Sequence, residues 1–222
     1  MSQLKKFQVQ EARPLPVIIL ADTSGSMSVD GKIEALNRGL REMISSFSTE
    51  SRVRAEIQVE VIAFGGNSAE VILGLTSAHQ IEGIGNLTAG GMTPLGSALR
   101  IANELIEDKS RIPSRAYKPV VVLVSDGHPN DDWEGPFESF VNGERTAKAT
   151  RFAMAIGSDA DMDTLSRFAN DPEAPVFLTE NARDIHRFFR AVTMSVSARS
   201  QSVKPNQSTP LEIPADDEDW EF

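Results

Sequence analysis

Cysteine is absent from all 222 residues, which excludes disulfide frameworks, thiolate zinc sites and a cysteine nucleophile together. Long apolar runs are absent too. The longest, VIILA (17–21) and VVVLV (120–124), are far too short to cross a bilayer. The N-terminal stretch MSQLKKFQVQEARPLP has no apolar segment of the secretory kind, so the expectation is a cytoplasmic protein without a membrane partner. Positive charge is in short supply: 22 Lys and Arg stand against 32 Asp and Glu, a formal net charge of −10. Residues 198–222 hold two cations against six acids, so −4 of that total lies there and −6 on the remainder. Such a surface argues against a general affinity for nucleic acid, which needs clustered Lys and Arg. It suits divalent cations better. No GxxxxGK[ST] phosphate loop and no GxSxG nucleophile elbow occurs.

The residues that are there have the proportions of a soluble globular protein, 40% hydrophobic and 24% charged. PVIILAD and KPVVVLVSDG are continuous, β-branched apolar runs that end in polar turns, the pattern of central strands in a parallel sheet. AEIQVEVIAFG (55–65) and AEVILGLT (69–76) flank a GNS turn and read as an antiparallel hairpin. KATRFAMAIG (148–157) and APVFLTE (174–180) predict two further strands. Helical spacing links Ile33, Leu36, Leu40, Met43, Ile44 and Phe47, and again Leu95, Ala98, Leu99, Ala102, Leu105 and Ile106. Leu165 and Phe168 mark a short helix. Ile185, Phe188, Phe189, Val192 and Val196 mark a last one, capped by Asn181.

The predicted fold is therefore α/β, doubly wound, with a mostly parallel sheet, one antiparallel edge hairpin and helices on both faces. Its limits are an N-terminal extension at 1–11, the domain at 12–197 and a flexible acidic tail at 198–222, which carries Trp220 and Phe222 among its acids.

The first apolar strand breaks into DTSGSMS, one carboxylate and four hydroxyls between residues 22 and 28. A helix cap, a nucleophile with its base, and a nest for a hard metal ion all use such groups. In open parallel sheets, ligands bind beyond the carboxyl ends of strands where the strand order reverses. Asp22 and Asp126 each follow an apolar strand, and Thr93 precedes Pro94 at a helix start. Two bare carboxylates in one crevice repel unless a cation or a shared proton compensates. Hydroxyls of Ser24, Ser26 and Thr93 beside them favour Mg2+, with Mn2+ or Ca2+ as alternatives, and the lack of His or Cys points away from zinc.

DTSGS after one buried strand, a lone Thr before a helix, and SDG after a second buried strand resemble the metal-ion-dependent adhesion site (MIDAS) of von Willebrand factor A (VWA) domains. The resemblance implies Ser24 and Ser26 as direct ligands, Thr93 as a ligand directly or through water, and Asp22 and Asp126 as outer or water-mediated acids. It also implies a non-enzymatic module that binds a Glu or Asp carboxylate of a partner protein. LPVIILADTSGSM, GKIEALNRGL and KPVVVLVSDGHPNDDWEG further resemble the bacterial TerY-like proteins of tellurium-resistance and stress gene clusters. That likeness implies a protein kinase and a PP2C-type phosphatase as partners.

Plainer roles stand beside these. Ser24 and Ser26 also suit a turn, and Thr93 before Pro94 suits a helix N-cap with Pro at the first helical position. His128, Asp131, Asp132 and Trp133 are candidates for partner contact. Equally, His128 suits a solvated rim, and the two acids suit a helix start beside its dipole. The alternative function is a metal-dependent hydrolase using the same crevice, for which His128 is the nearby general base.

Overall fold

In the computed structural model, which describes residues 12–170, 176–207 and 211, the two apolar runs lie side by side as the centre of one sheet. The strands are β1 (Arg13–Asp22), β2 (Ala55–Gly65), β3 (Ser68–Ser77), β4 (Val120–Ser125), β5 (Thr150–Ile156) and β6 (Phe177–Thr179). Their order is β3-β2-β1-β4-β5-β6, and every pairing is parallel except the β2–β3 hairpin at one edge. The doubly wound reading holds.

Alternation within the central strands explains why helices cover both faces. Leu15, Val17, Ile19 and Ala21 of β1 point into one core, and Ile18 and Leu20 into a second. In β4, Val120, Val122 and Val124 join the first core, while Val121 and Leu123 join the second. The first core is closed by α1 (Lys32–Ser48) and α5 (Ala182–Gln201), through Leu36, Leu40, Met43, Phe188, Phe189 and Val192. The second is closed by α2 (Leu95–Glu107), α3 (Glu134–Asn142) and α4 (Met162–Phe168), through Leu99, Leu105, Phe137, Phe140 and Phe168. Full burial of each such side chain contributes about 1.5–3 kcal/mol, so both helix layers are held by hydrophobic area rather than by local propensity.

Two features depart from the sequence reading. First, α3 is not among the helices that periodicity predicts, although Asp131 and Asp132 suit a helix start just before it. Second, α5 runs to Gln201, past Ser197, the predicted end of the domain. The cause is Arg199, which is 2% exposed and donates to the carbonyls of Pro205 and Lys118 and to Thr150 Oγ1. A buried guanidinium satisfied by three oxygens ties the polar ARSQ turn to the body. Asn206 adds to this, its Oδ1 accepting from the Lys118 amide at 2.9 Å. The chain is thus pinned beside the N-terminal end of β4, opposite the strand end that carries Asp126. The predicted 1–11 extension and the acids and aromatics at 216–222 lie outside the described residues. Among the described residues, no helix is long and apolar enough to cross a membrane.

Candidate metal centre

β1 and β4 pair in parallel through Ala21 and Val124, so the next residues, Asp22 and Ser125, end their strands side by side. Ser125 Oγ donates to Asp22 Oδ2 at 2.6 Å, and the Ser24 amide donates to Asp22 Oδ1 at 2.8 Å. The chain then closes into one 3-10 turn, Gly25–Ser28, which brings Ser24 Oγ and Ser26 Oγ to 3.0 Å. From there Ser26 Oγ reaches Asp126 Oδ1 at 2.6 Å, and Ser24 Oγ reaches the same atom at 3.4 Å. Asp22 and Asp126 are 0% and 2% exposed. A continuous run of oxygens therefore links the two strand ends across the switch point.

Thr93 reaches this crevice from a different layer. Its loop is laced to its neighbours by four backbone hydrogen bonds of 2.8–3.0 Å: Gly90 to Thr23, Gly66 to Gly90, Met92 to Gly66 and Gly25 to Gly91. The Thr93 amide donates to Asn130 Oδ1 at 2.9 Å. A Cβ on Gly127 would sit 3.7 Å from Thr93 Oγ1 and 4.0 Å from Ser26 Oγ, which places both hydroxyls in one space.

Thr93 does not cap α2. The residue flanking that helix is Pro94, and the free amides of Gly96 and Ser97 donate to the two Asp131 oxygens at 3.0 and 2.9 Å. A carboxylate supplied by a neighbouring loop suits the positive helix end better than a hydroxyl does. The Thr93 hydroxyl is left to face the crevice.

That role takes Asp131 out of the exposed rim. Trp133 is likewise half-buried, edge-on to Phe137 at 5.6 Å and packed on the second core. Asp132 keeps an exposed side chain while its carbonyl accepts from Arg100 at 2.9 Å. The His128 side chain is 72% exposed, with Nδ1 3.5 Å from Asp161 Oδ2. Of the four residues considered for partner contact, His128 and Asp132 face solvent, whereas Asp131 and Trp133 are built into the fold. Ser125, Asn130 and Lys32 belong to the constellation and were not singled out in the sequence. Ser125 had a usable signal, since it is the last strand residue before Asp126.

The electrostatics follow from burial. Asp22 is pushed up to about 6 chiefly by desolvation, against hydrogen bonds from Ser125 and Ser24, with the Asp126 charge raising it further. Two buried carboxylates and three hydroxyls form an all-oxygen donor set of the kind that hard divalent cations take. Among the described residues, no group of three His, Cys, Asp or Glu offers an alternative centre.

A pH experiment isolates Asp22. Its folded value, about 6, lies above the ordinary 3.8, so the folded state holds this proton more tightly than the unfolded chain. Stability therefore falls as pH rises between those values, by about 3 kcal/mol at 1.36 kcal/mol per unit. In a chelator, Asp22→Asn should gain on wild type by up to that amount from about pH 4 to pH 7, followed by urea denaturation. Parallel stability curves would remove burial of the carboxylate as the cause.

Comparison with known proteins agrees with this architecture. The chain is 30% identical over 149 residues to the magnesium-chelatase 60 kDa subunit of Rhodobacter capsulatus, a span of 65% of this chain but 24% of that one. A von Willebrand factor type A protein from Catenulispora acidiphila superposes with a TM-score of 0.65 at 22% identity, over 83% of this chain and 42% of that one. Proximal thread matrix protein 1 from the mussel byssus, with a zinc-occupied MIDAS motif, gives 0.63 at 17% identity, over 83% and 48%. The chain thus spans less than half the length of each of these relatives. At such identities the two structures speak for the fold. Residues 17–191 match the von Willebrand factor type A domain, and the chain belongs to that family, whose members commonly use a MIDAS for metal-dependent protein interaction.

Proposed function

We propose that the crevice is a Mg2+-dependent recognition site for a Glu or Asp carboxylate of a partner protein, and that the domain is a binder rather than an enzyme. One observation carries this reading. Asp22, Asp126, Ser24 and Ser26 form one hydrogen-bonded cluster at the ends of adjacent parallel strands, with the Thr93 hydroxyl facing them. Ser24, Ser26 and Thr93 would hold the ion, with Asp22 and Asp126 acting as outer or water-mediated acids. When bound, the ion supplies a concentrated positive charge for an acidic group of the partner, and neutral hydroxyls do little to weaken it. The TerY-like stretches around Asp22 and Asp126 support a bacterial stress-signalling setting, cytoplasmic, with a protein kinase and a PP2C-type phosphatase as the partners to try first.

The test compares partner retention on the immobilised domain in Mg2+ and in EDTA. Ser26→Ala and Thr93→Ala should each reduce retention at least tenfold, about 1.4 kcal/mol, while His128→Ala leaves it unchanged. Equal retention in EDTA would sink the reading. One observation favours a hydrolase instead: His128 stands beside the carboxylate of Asp161, an arrangement that orients an imidazole as a base. Mg2+-dependent phosphoester hydrolysis that disappears in His128→Ala would establish that alternative.

A further inference from the structure

We propose that Lys32 is a tethered cation that competes with the divalent ion for Asp126, so that metal loading displaces a lysine ammonium from the crevice. This rests on the metal-centre reading above and deepens it by naming a residue that sets the affinity. Lys32 Nζ donates to Asp126 Oδ2 at 2.8 Å, while Oδ1 of the same carboxylate takes the Ser26 and Ser24 hydroxyls. The lysine side chain is 14% exposed and that of Asp126 is 0% exposed, so the pair is largely withdrawn from solvent screening.

The backbone around Lys32 breaks local rules in order to place it. Lys32 is the first residue of α1, where the helix dipole disfavours a cation. Its N-cap is Gly31, which offers no side-chain cap to the free amides. The turn before it holds two successive left-handed residues, Asp30 at φ 56° and Gly31 at φ 70°. Among the described residues, Asp30 is the only non-glycine with positive φ. A helix that starts on a lysine, without a side-chain cap and after two left-handed residues, is explained by the ion pair that this geometry makes with Asp126.

Competition follows from charge. A divalent ion held by Ser24 and Ser26 would stand near the Asp126 carboxylate that both hydroxyls reach, and a lysine on that carboxylate would then face a like charge. The lysine has a flexible four-carbon stem and can move to water, whereas the hydroxyls are fixed by the turn. Binding is therefore an exchange of one cation for another. Its affinity is lower than the oxygen set alone would give.

Titration of Mg2+ alone by calorimetry tests this on wild type, Lys32→Met and Lys32→Gln. Both variants should bind about tenfold more tightly. A second readout uses the wild-type chain, acylated with an amine reagent and mapped by mass spectrometry. Labelling of Lys32 should rise several-fold in Mg2+, while Lys109, whose side chain is already 60% exposed, stays constant. Wild-type affinity, or weaker, in both Lys32 variants overturns the inference, as does unchanged or reduced labelling of Lys32 in Mg2+. If wild type and variants alike bind no Mg2+, the metal-centre reading falls with it. Binding by wild type with no gain in the variants overturns this inference alone.

Discussion

Asp126→Ala is expected to abolish Mg2+ binding and leave the fold standing. Asp126 belongs to neither apolar core, and its carboxylate meets Ser24, Ser26 and Lys32, so its loss removes the charge that joins them. In the wild type, an ion present at about 100 times its dissociation constant contributes about 2.7 kcal/mol. For a chain of this size that is a rise in melting temperature of roughly 5–10 °C, and the variant should show none of it. In EDTA the variant should melt at or slightly above wild type. Removing Asp126 takes a like charge away from buried Asp22, and Lys32 is free to move its ammonium into water. A variant that gains the wild-type increment in Mg2+ would show that the ion sits elsewhere.

The parts of this site that the sequence made legible are those set by strand ends. Asp22 and Asp126 each follow a run whose residues alternate between two cores, and a run buried on both faces leaves few choices of position in the sheet. The hydroxyls of Ser24 and Ser26 then follow from a short turn. Contacts between distant loops were not legible. Asp131 resembles a helix-start acid for its own segment, yet it caps α2, whose amides lie 34 and 35 residues earlier in the chain. Thr93 has the local signature of an N-cap and lost that role to Asp131. Asn130 acts through a pair of hydrogen bonds with Thr93, its Oδ1 accepting from the Thr93 amide and its own amide donating to the Thr93 carbonyl, and a lone Asn in a loop carries no such signal.

The missing helix has a similar explanation. EGPFESFVN places Gly135 and Pro136 in its first turn and buries only Phe137 and Phe140, which is too little for a periodic stripe. Tertiary packing of Phe137 and Phe140 into the second core, with Phe140 against Phe168 at 5.8 Å, forms α3 where propensity does not. Arg199 misled in the opposite sense. A cation in a Ser-rich stretch reads as solvated, but here the backbone oxygens of Lys118 and Pro205 and the Thr150 hydroxyl replace water.

Gly91→Ala should do the greatest damage of any single methyl group added near the crevice. Gly91 sits at φ +75°, where an alanine costs about 1–2 kcal/mol. Its Cβ would also lie 2.4 Å from the Gly66 Cα and 2.8 Å from the Gly66 amide nitrogen, which are backbone atoms without a rotamer to give way. Nor can the loop retreat as a whole, because Gly66, Gly90 and Met92 exchange backbone hydrogen bonds across this contact and Gly25 donates to Gly91. Overpacking of this kind costs about 1–3 kcal/mol. The expected loss is about 2–4 kcal/mol in EDTA by urea denaturation, with Mg2+ affinity falling as well because Thr93 lies two residues along the displaced strand of loop. Gly90→Ala is the matched control: a Cβ there meets nothing within 4 Å, and its φ lies outside the left-handed region. It should change stability by less than about 0.5 kcal/mol and bind Mg2+ as wild type does. Equal stability of the two variants would mean that the close contact between Gly66 and Gly91 does not hold Thr93 in the crevice.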